Sequence, residues 1–274
     1  MHTFLSYAKL NLNLYVGPPN AVGLHPLLSV FQTIDLHDVI QVTPSMLDQH
    51  VVEFDGLDVP AENTCTAVLD ALADQLQSFW TVTIKKNIPS GAGLGGGSSN
   101  AATLLKALND LESLNMSVSQ MADIAQGIGS DVPFFLYGGQ AKVAATGEEI
   151  IPNQSLIDCP YFVLILPNIH CSTGGVYGAL DSAGEFDDLE TITDEVLKKV
   201  GHNRLLNAAM MIAPELAQLY DKVSNVLDEN VFMSGSGSTL YVPCHTETEQ
   251  QHIYAQLGAE LVDFNGILIK ALGV

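Results

Sequence analysis

The chain has 274 residues, of which 47% are hydrophobic and 15% charged, and this composition excludes an intrinsically disordered protein. There are 31 acidic residues against 10 basic ones, and a formal net charge of −21 argues against nucleic acid or an anionic membrane as the partner. No apolar run approaches the ~20 residues of a membrane span, the N terminus lacks the plan of a signal peptide, and the four cysteines are scattered, so we expect a cytoplasmic protein without a zinc or disulfide framework.

The first predicted element is a strand over residues 4–16, in which two kinds of side chain alternate. One face is aliphatic and carries Ala8, Leu10, Leu12, Leu14 and Val16. The other face is polar and aromatic and carries Tyr7, Lys9, Asn11, Asn13 and Tyr15. A solvated strand face usually holds threonine, glutamate or several charges, so this second face is either the lining of a ligand site or an unusual solvent-exposed surface.

Further strands are predicted over residues 27–40 and 51–54. Asn63 is a good N-cap residue for a helix whose apolar positions continue to Phe79. A strand over residues 81–88 follows and leads into the most unusual part of the chain.

That part is a glycine loop, residues 89–99, in which five glycines fall between Gly91 and Gly97. Ser98, Ser99 and Asn100 are good N-cap residues, and a helix with leucines at helical spacing follows them. A strand, a flexible glycine loop and a helix N terminus together form a site for an anion, because bare N–H groups and the helix dipole both favour negative charge. The sequence therefore predicts a phosphate site, and a long flexible connection is the alternative.

A third helix is predicted over residues 117–127, and Asp131 follows it next to a strongly apolar stretch. A carboxylate among apolar side chains needs a partner or a chemical role. Asp131 is therefore a candidate functional residue, and helix capping or turn chemistry is the alternative.

A change in composition over residues 147–153 predicts a domain boundary, with domains of residues 1–150 and 151–274. In the second domain a strand is predicted over residues 161–166 and a helix over residues 205–223, in which Pro214 marks a kink or a restart. A second glycine-serine loop that opens a strand, a further helix and a final strand follow over residues 232–242, 246–257 and 267–274. Intermixed helices and strands predict an α/β or α+β protein in two lobes.

Three common phosphate-binding motifs do not fit the glycine loop. Gly91 to Gly96 matches the dinucleotide fingerprint G-x-G-x-x-G, but Asp110 and Glu112, at the spacing of its acidic residue, lie on the predicted helix and not after a strand. The loop has no G-K-[ST] as in a Walker A motif, and the H-R-D and D-F-G sets of protein kinases are missing. Phosphoryl transfer needs a phosphate cradle, a cation, Mg²⁺ and a group that orients the acceptor, and the chain offers Lys9 and Asp131 as cation and acid.

The pattern Pro89-x-x-x-Gly-Leu-Gly-Gly-Gly-Ser-Ser99 resembles the ATP loop of the GHMP kinase family. Residues 8–14 with 23–25, residues 129–135, Ser172-Thr173 and residues 235–237 resemble those members whose substrate is a cytidine diphosphate-linked methylerythritol, in order along essentially the whole chain. The resemblance implies an α+β, two-lobe GHMP kinase fold. Its N-terminal lobe would be ribosomal-protein-S5-domain-2-like, its C-terminal lobe ferredoxin-like, and the active site would lie in the cleft between them.

The same resemblance assigns roles to single residues. Lys9 and Asp131 would be the catalytic pair, in which Asp131 takes or orients the substrate's hydroxyl proton and Lys9 keeps that carboxylate ionised and steadies the developing charge. The ATP-binding residues would be Pro89, Ser90, Gly91, Ala92, Gly93, Leu94, Gly95, Gly96, Gly97, Ser98 and Ser99 around the phosphates, with Asn63 and Lys86 near the adenosine.

On the substrate side, Asn11 and Thr173 would position the methylerythritol, His25 would hydrogen-bond the cytosine edge and Tyr177 would stack on the ring. The chain departs from the family at Leu24, where members commonly have tyrosine as the second aromatic face on cytosine. It departs again after Asn203, where Arg204 stands in place of a frequent aspartate.

The resemblance implies ATP-dependent phosphorylation of the 2-hydroxyl of that substrate in the non-mevalonate route to isopentenyl diphosphate. ATP, with Mg²⁺, is the expected cofactor, and the metal ligands stay unassigned. The expected partner is a small molecule, with no nucleic acid or membrane, and the protein is expected to be a monomer or weak homodimer in the cytoplasm. Another GHMP small-molecule kinase of the homoserine or mevalonate type and a non-catalytic nucleotide-binding relative are the alternatives.

Overall fold

The structure is a computed structural model that describes residues 1–56, 63–152, 156–228 and 230–273. The chain divides into two compact units that alternate along the sequence. Unit 1 comprises Met1–Ala8, Leu36–Ser90 and Gly95–Gly138, and unit 2 comprises Lys9–Asp35, Gly91–Leu94 and Gly139–Val274. The units alternate because two long strands that pair with each other, β1 (His2–Val16) and β2 (Leu27–Pro44), each pass from one unit to the other.

In unit 1 the C-terminal half of β2 pairs antiparallel with β4 (Trp80–Lys85), and β4 pairs parallel with β3 (Val51–Phe54). Four helices belong to this unit as described: α1 (Thr64–Ala71), α2 (Gly96–Leu111), α3 (Val118–Ile128) and α4 (Val132–Tyr137). Helix α2 packs against α1 and α4 and buries its leucines, as the helical spacing predicts.

In unit 2 the N-terminal half of β2 pairs antiparallel with β5 (Gln140–Ala144), which pairs with β6 (Glu149–Pro152). A separate antiparallel sheet has the order β10-β7-β9-β8, formed by β7 (Tyr161–Ile165), β8 (Phe232–Met233), β9 (Leu240–Cys244) and β10 (Gly266–Lys270). The helices of this unit are α5 (Thr173–Ala183), α6 (Asp194–Leu197), α7 (Leu206–Ile212), α8 (Pro214–Val226) and α9 (Glu247–Glu260). Val163, Val242, Leu216 and Leu257 belong to its buried core.

Most predicted elements are confirmed, including the strand over residues 4–16 and the helix restart at Pro214. Asn63 caps α1 as predicted, because its side chain accepts a hydrogen bond from the Thr66 N–H at 2.8 Å. The prediction that this helix reaches Phe79 is wrong, since α1 ends at Ala71 and Phe79 is 45% exposed. No helix within the described ranges is both long and apolar enough to cross a membrane.

The predicted domains, residues 1–150 and 151–274, are each continuous in sequence, whereas the two compact units are made of alternating segments. The predicted division stays a prediction. Asn153, at the end of the predicted boundary, and Val274, at the end of the predicted final strand, lie outside the described residues.

The cysteines Cys65, Cys159, Cys171 and Cys244 are free and buried. Burial raises the pKa of the Cys65 and Cys244 thiols to about 12 and that of Cys159 to about 11. These thiols are therefore protonated at neutral pH and are poor nucleophiles.

Candidate active site

Hydrogen bonds to its carbonyl oxygens hold the glycine loop in place, whereas most of its N–H groups donate to no acceptor among the described residues. The carbonyl oxygens of residues 92–95 all accept hydrogen bonds; the donors, in order, are the Thr239 N–H (3.3 Å), the Ser234 hydroxyl (3.0 Å), the Lys9 N–H (3.0 Å) and the Ser99 N–H (2.9 Å). In contrast, the backbone N–H groups of residues 91–98 donate to no acceptor within the described part of the chain. A run of unused donors at a helix N terminus is what binding of an anion such as phosphate requires.

Two glycines are needed for this arrangement. Gly93 has a φ of 77°, and a Cβ atom on it would lie 2.1 Å from the Ser234 carbonyl oxygen. Gly95 is the N-cap of α2 with a φ of 69°. Both conformations are in the left-handed region that glycine adopts without strain.

The prediction that Ser98, Ser99 or Asn100 caps α2 is wrong. Gly95 is the N-cap and no side chain makes a capping hydrogen bond. Ser99 and Asn100 are buried, and the Ser99 hydroxyl donates to the Tyr7 carbonyl oxygen at 2.6 Å. The serines therefore do not consume the N–H groups at the start of α2, which stay available to a ligand.

Asp38 joins the chain before the glycine loop to the helix after it. Its carboxylate is fully buried and accepts from the N–H groups of Asn87 (2.7 Å) and Ile88 (2.8 Å). It also accepts from the Asn100 amide at 2.9 Å and from the Lys86 ammonium. No local pattern marks Asp38, and sequence reasoning missed it.

The side chains predicted to lie near the adenosine are both engaged in unit 1. Lys86 pairs with Asp38, and Asn63 caps α1. The neighbouring Thr64 hydroxyl donates to the Gly97 carbonyl oxygen at 2.7 Å, so the start of α1 contacts the start of α2.

Lys9 and Asn11 lie on the polar face of β1, and both are 3% exposed. The Lys9 ammonium lies 2.5 Å from the Asn11 side-chain oxygen and 4.5 Å from the centroid of the Phe31 ring. The Asn11 amide donates to the Ser29 hydroxyl at 3.2 Å. The alternative that this face is solvent-exposed is therefore wrong.

Asp131 is half-buried at the N-cap position of α4, where its side chain makes no capping hydrogen bond. The capping alternative is therefore wrong for this residue. The residues that follow, Val132, Pro133 and Phe134, are buried as the apolar pattern predicts. Asp131 belongs to unit 1 and Lys9 to unit 2, and their catalytic pairing stays a prediction.

The second glycine loop, residues 233–237, has two features that sequence reasoning missed. The Asn203 amide donates to the carbonyl oxygens of Met233 (2.8 Å) and Gly235 (2.9 Å). The Ser234 hydroxyl, which donates to Gly93, also accepts from the Asn11 N–H at 3.2 Å. In the sequence, Ser234 is marked by its position directly before Gly235-Ser-Gly237. Its hydrogen-bond partners cannot be recognised there, because they lie far away along the chain.

Thr173, predicted to contact the substrate, is exposed at the start of α5. Its hydroxyl lies 3.0 Å from that of Ser236 in the second glycine loop.

His25 lies against Tyr177, with ring centroids 5.1 Å apart, so the structure brings together these two predicted substrate residues. The His25 imidazole is 6% exposed; Nδ1 lies 2.9 Å from the Gly17 carbonyl oxygen and Nε2 lies 3.2 Å from Asp181. Leu24, in contrast, is 54% exposed. A third ring, Phe186, lies 5.7 Å from His25 and was missed.

Arg204, at the position where the family often has aspartate, forms an ion pair with Asp187. Its guanidinium donates to Asp187 at 2.5 Å, and the other carboxylate oxygen accepts from the Val16 N–H at 2.9 Å. Burial opposes ionisation of Asp187, but hydrogen bonds from His202, Arg204 and the Val16 N–H outweigh it and hold the pKa of this carboxyl well below its usual value. The arginine thus fixes the segment after α5 to β1.

Comparison with known proteins places the chain in a family. The family model described as "GHMP kinases N terminal domain" matches residues 63–139, which include the glycine loop and Asp131. The chain is 32% identical to the 4-diphosphocytidyl-2-C-methyl-D-erythritol kinase of Persephonella marina, over 96% of this chain and 98% of that protein. It is 35% identical to the enzyme of the same name from Carboxydothermus hydrogenoformans, over 91% of each chain.

Solved structures agree with this placement. A crystal structure titled 4-(cytidine 5'-diphospho)-2C-methyl-D-erythritol kinase superposes with a TM-score of 0.76 and 27% identity, over the full length of both chains. This match and the family model confirm the predicted GHMP kinase fold. The chain belongs to the family of 4-diphosphocytidyl-2-C-methyl-D-erythritol kinases.

Proposed function

We propose that this protein transfers the γ-phosphoryl group of ATP to the 2-hydroxyl of 4-diphosphocytidyl-2-C-methyl-D-erythritol, giving the 2-phosphate and ADP. Family membership supports the reaction. The observation that carries the proposal is the run of unused N–H donors over residues 91–98, since a protein with a net charge of −21 needs such local donors to hold a polyanion.

The cradle of residues 89–99 binds the phosphates of ATP through these N–H groups. Their positive potential is fixed before the nucleotide arrives, because the carbonyl oxygens of residues 92–95 are occupied. Asn63 and Lys86 lie near the adenosine in this proposal. Lys86 would act there chiefly through Asp38, which holds its ammonium.

Lys9 and Asp131 are the catalytic pair. Asp131, at the start of α4, accepts or orients the proton of the 2-hydroxyl. Lys9 supplies positive charge near the transferring group, and Asn11 fixes the direction of its ammonium.

Mg²⁺ accompanies the nucleotide and neutralises phosphate charge when it is bound. The described residues contain no group of three or more His, Cys, Asp or Glu side chains that could hold a metal. This fits Mg²⁺, which is usually held by one or two protein oxygens together with substrate phosphates.

On the acceptor side, Asn11 and Thr173 position the methylerythritol, and Tyr177 stacks on cytosine. Both imidazole nitrogens of His25 already have partners. A hydrogen bond from His25 to the cytosine edge therefore requires displacement of Asp181, or comes from the backbone of residue 25. Leu24 covers the second face of the ring with a weaker contact than an aromatic side chain would make.

In this proposal the ATP loop belongs to a domain of residues 1–150, and residues 151–274 form the second domain. The protein acts in the non-mevalonate route to isopentenyl diphosphate as a cytoplasmic monomer or weak homodimer. Its partners are small molecules, and neither nucleic acid nor membrane takes part.

A coupled ADP-release assay tests the reaction. The cytidine substrate is offered beside mevalonate, homoserine and galactose, each at the same concentration with ATP and Mg²⁺. We expect turnover with the cytidine substrate and at most traces with the other alcohols. Preferred turnover of another alcohol would favour the alternative GHMP kinase, and ATP binding without turnover of any alcohol would favour a non-catalytic relative.

A further inference from the structure

Ser234 stands where three segments of unit 2 meet: strand β1, the first part of the glycine loop and the second glycine loop. The side chain is fully buried. Its hydroxyl accepts from the Asn11 N–H at 3.2 Å and donates to the Gly93 carbonyl oxygen at 3.0 Å. A single hydroxyl thus links the strand that carries Lys9 to the loop of unused N–H groups.

The backbone next to Ser234 packs closely against the glycine loop and strand β1. A Cβ atom on Gly235 would lie 3.2 Å from the Gly93 carbonyl oxygen and 3.3 Å from the Asn11 side-chain oxygen. Asn203 holds the carbonyl oxygens on both sides of Ser234, at Met233 and Gly235. The hydroxyl is therefore presented by a loop that has little freedom to move.

The strand does not depend on Ser234 for its position. The Tyr241 hydroxyl lies 3.0 Å from the carbonyl oxygens of both Asn11 and Leu12, and the Asn11 side chain has its own bonds to Lys9 and Ser29. The Gly93 carbonyl, in contrast, has the Ser234 hydroxyl as its hydrogen-bond donor. Loss of the hydroxyl would therefore release the Gly93 carbonyl and leave the strand in place, while Ala92 and Leu94 keep their hydrogen bonds to Thr239 and Lys9.

We propose that Ser234 is a positioning residue for phosphoryl transfer: it turns the Gly93 carbonyl away from the nucleotide phosphates and sets the loop relative to Lys9. This inference rests on the proposed binding of ATP at residues 89–99. A released carbonyl can point toward the phosphates and repel them, and the neighbouring N–H groups then lose their alignment. The role is distinct from catalysis, since the hydroxyl is fully buried.

Ser238, directly after the second glycine loop, provides a matched control. It is 1% exposed, and its hydroxyl donates to the Ile169 carbonyl oxygen at 2.5 Å. Ser234→Ala and Ser238→Ala each remove a buried serine hydroxyl from a backbone carbonyl, so their effects on stability should be similar. Ser234→Cys keeps nearly the volume of serine but makes weak hydrogen bonds, and it serves if the alanine variant does not fold.

The experiment measures, for each variant, the dissociation constant of a non-hydrolysable ATP analogue by calorimetry, kcat, KM for the alcohol substrate, and Tm. We expect Ser234→Ala to weaken binding of the analogue by about tenfold and to lower kcat, as the loss of hydrogen bonds to this hydroxyl implies. KM for the alcohol should change less than twofold, and Ser238→Ala should bind the analogue as the wild type does. Ser234→Cys should behave like Ser234→Ala.

Two outcomes would overturn the inference: equal weakening of analogue binding by Ser234→Ala and Ser238→Ala, or a fall in Tm of Ser234→Ala with unchanged binding and kcat. Wild-type behaviour of Ser234→Cys would show that volume and not the hydroxyl matters, and would overturn it as well. If the proposed function itself is wrong, the wild type would not bind the ATP analogue, and this result is distinct from the outcomes above.

Discussion

The ammonium of Lys86 and the carboxylate of Asp38 form an ion pair in which Asp38 is fully buried and Lys86 is 10% exposed. The same carboxylate accepts from the N–H groups of Asn87 and Ile88 and from the Asn100 amide. A buried ion pair is tolerated when its remaining polar atoms are satisfied in this way. The ion pair and its hydrogen bonds therefore join the chain before the glycine loop to the helix after it.

Lys86→Met should leave the Asp38 charge buried without its cation and cost about 3–5 kcal/mol in free energy of unfolding. The double variant Asp38→Asn, Lys86→Met removes both charges and should recover part of that loss, as measured by urea denaturation. KM for ATP separates the two roles of Lys86. If Lys86 also contacts the adenosine, the double variant keeps a raised KM, whereas a wild-type KM would contradict a nucleotide contact.

Gly93→Ala should weaken ATP binding by tenfold or more, because its Cβ would meet the Ser234 carbonyl oxygen at 2.1 Å and the residue has a φ of 77°. Gly127→Ala is the matched control, since Gly127 lies in α3 with no atom within 4 Å of its added Cβ. The control should raise the free energy of unfolding by about 0.5–1 kcal/mol and leave ATP binding unchanged. Calorimetry and denaturation distinguish the two; normal ATP binding by Gly93→Ala would show that the loop conformation is not needed.

Asp131→Ala should abolish turnover while ATP still binds, since a positioned general base typically contributes about 10²–10⁴-fold to the rate. Asp123, an exposed acid on α3, supplies the control variant Asp123→Ala. Single-turnover rates and analogue binding are measured for both. More than a tenth of wild-type activity in Asp131→Ala would remove this residue from the role of base.

Leu24→Tyr should lower KM for the cytidine substrate by about two- to tenfold, the range expected for one added aromatic contact. Leu24 is 54% exposed, so the larger ring meets little steric hindrance. Val22→Tyr is the control, because Val22 is 78% exposed in the same loop. KM for ATP should stay constant in both variants. An equal fall in KM in the two variants would mean that an aromatic side chain anywhere in this loop lowers KM, and that stacking on cytosine is not the cause.

Asp187→Asn should reduce the free energy of unfolding by about 1–3 kcal/mol at pH 7, through lost hydrogen bonds to a charged group. The folded-state pKa of Asp187 is depressed, so its contribution is complete above the unfolded-state pKa of about 3.9 and is lost as the pH falls below it. The difference between wild type and variant should therefore shrink below about pH 4. Asp188→Asn changes an exposed neighbour and should have little effect at any pH. A difference that grows in acid would contradict the assignment.

The sequence by itself determined the order of most elements and the position of the glycine loop between a strand and a helix. Periodicity and glycine density are local properties, so β1, α2 and the loop before α2 could be predicted from neighbouring residues, and the anion site at that loop stays a prediction. The polar face of β1 was recognised as unusual for the same reason. The motifs around Lys9 and Asp131 indicate the family from the sequence alone.

The tertiary structure alone decided which hydrogen bonds hold the loop in its conformation. Ser234 binds a carbonyl 141 residues away, and Asp38 binds the Ile88 N–H 50 residues away. Such long-range hydrogen bonds leave no periodic trace in the chain. The wrong prediction of the α2 cap has the same origin: Ser99 is a good N-cap residue by type, but packing directs its hydroxyl to Tyr7, and no side chain caps the start of α2.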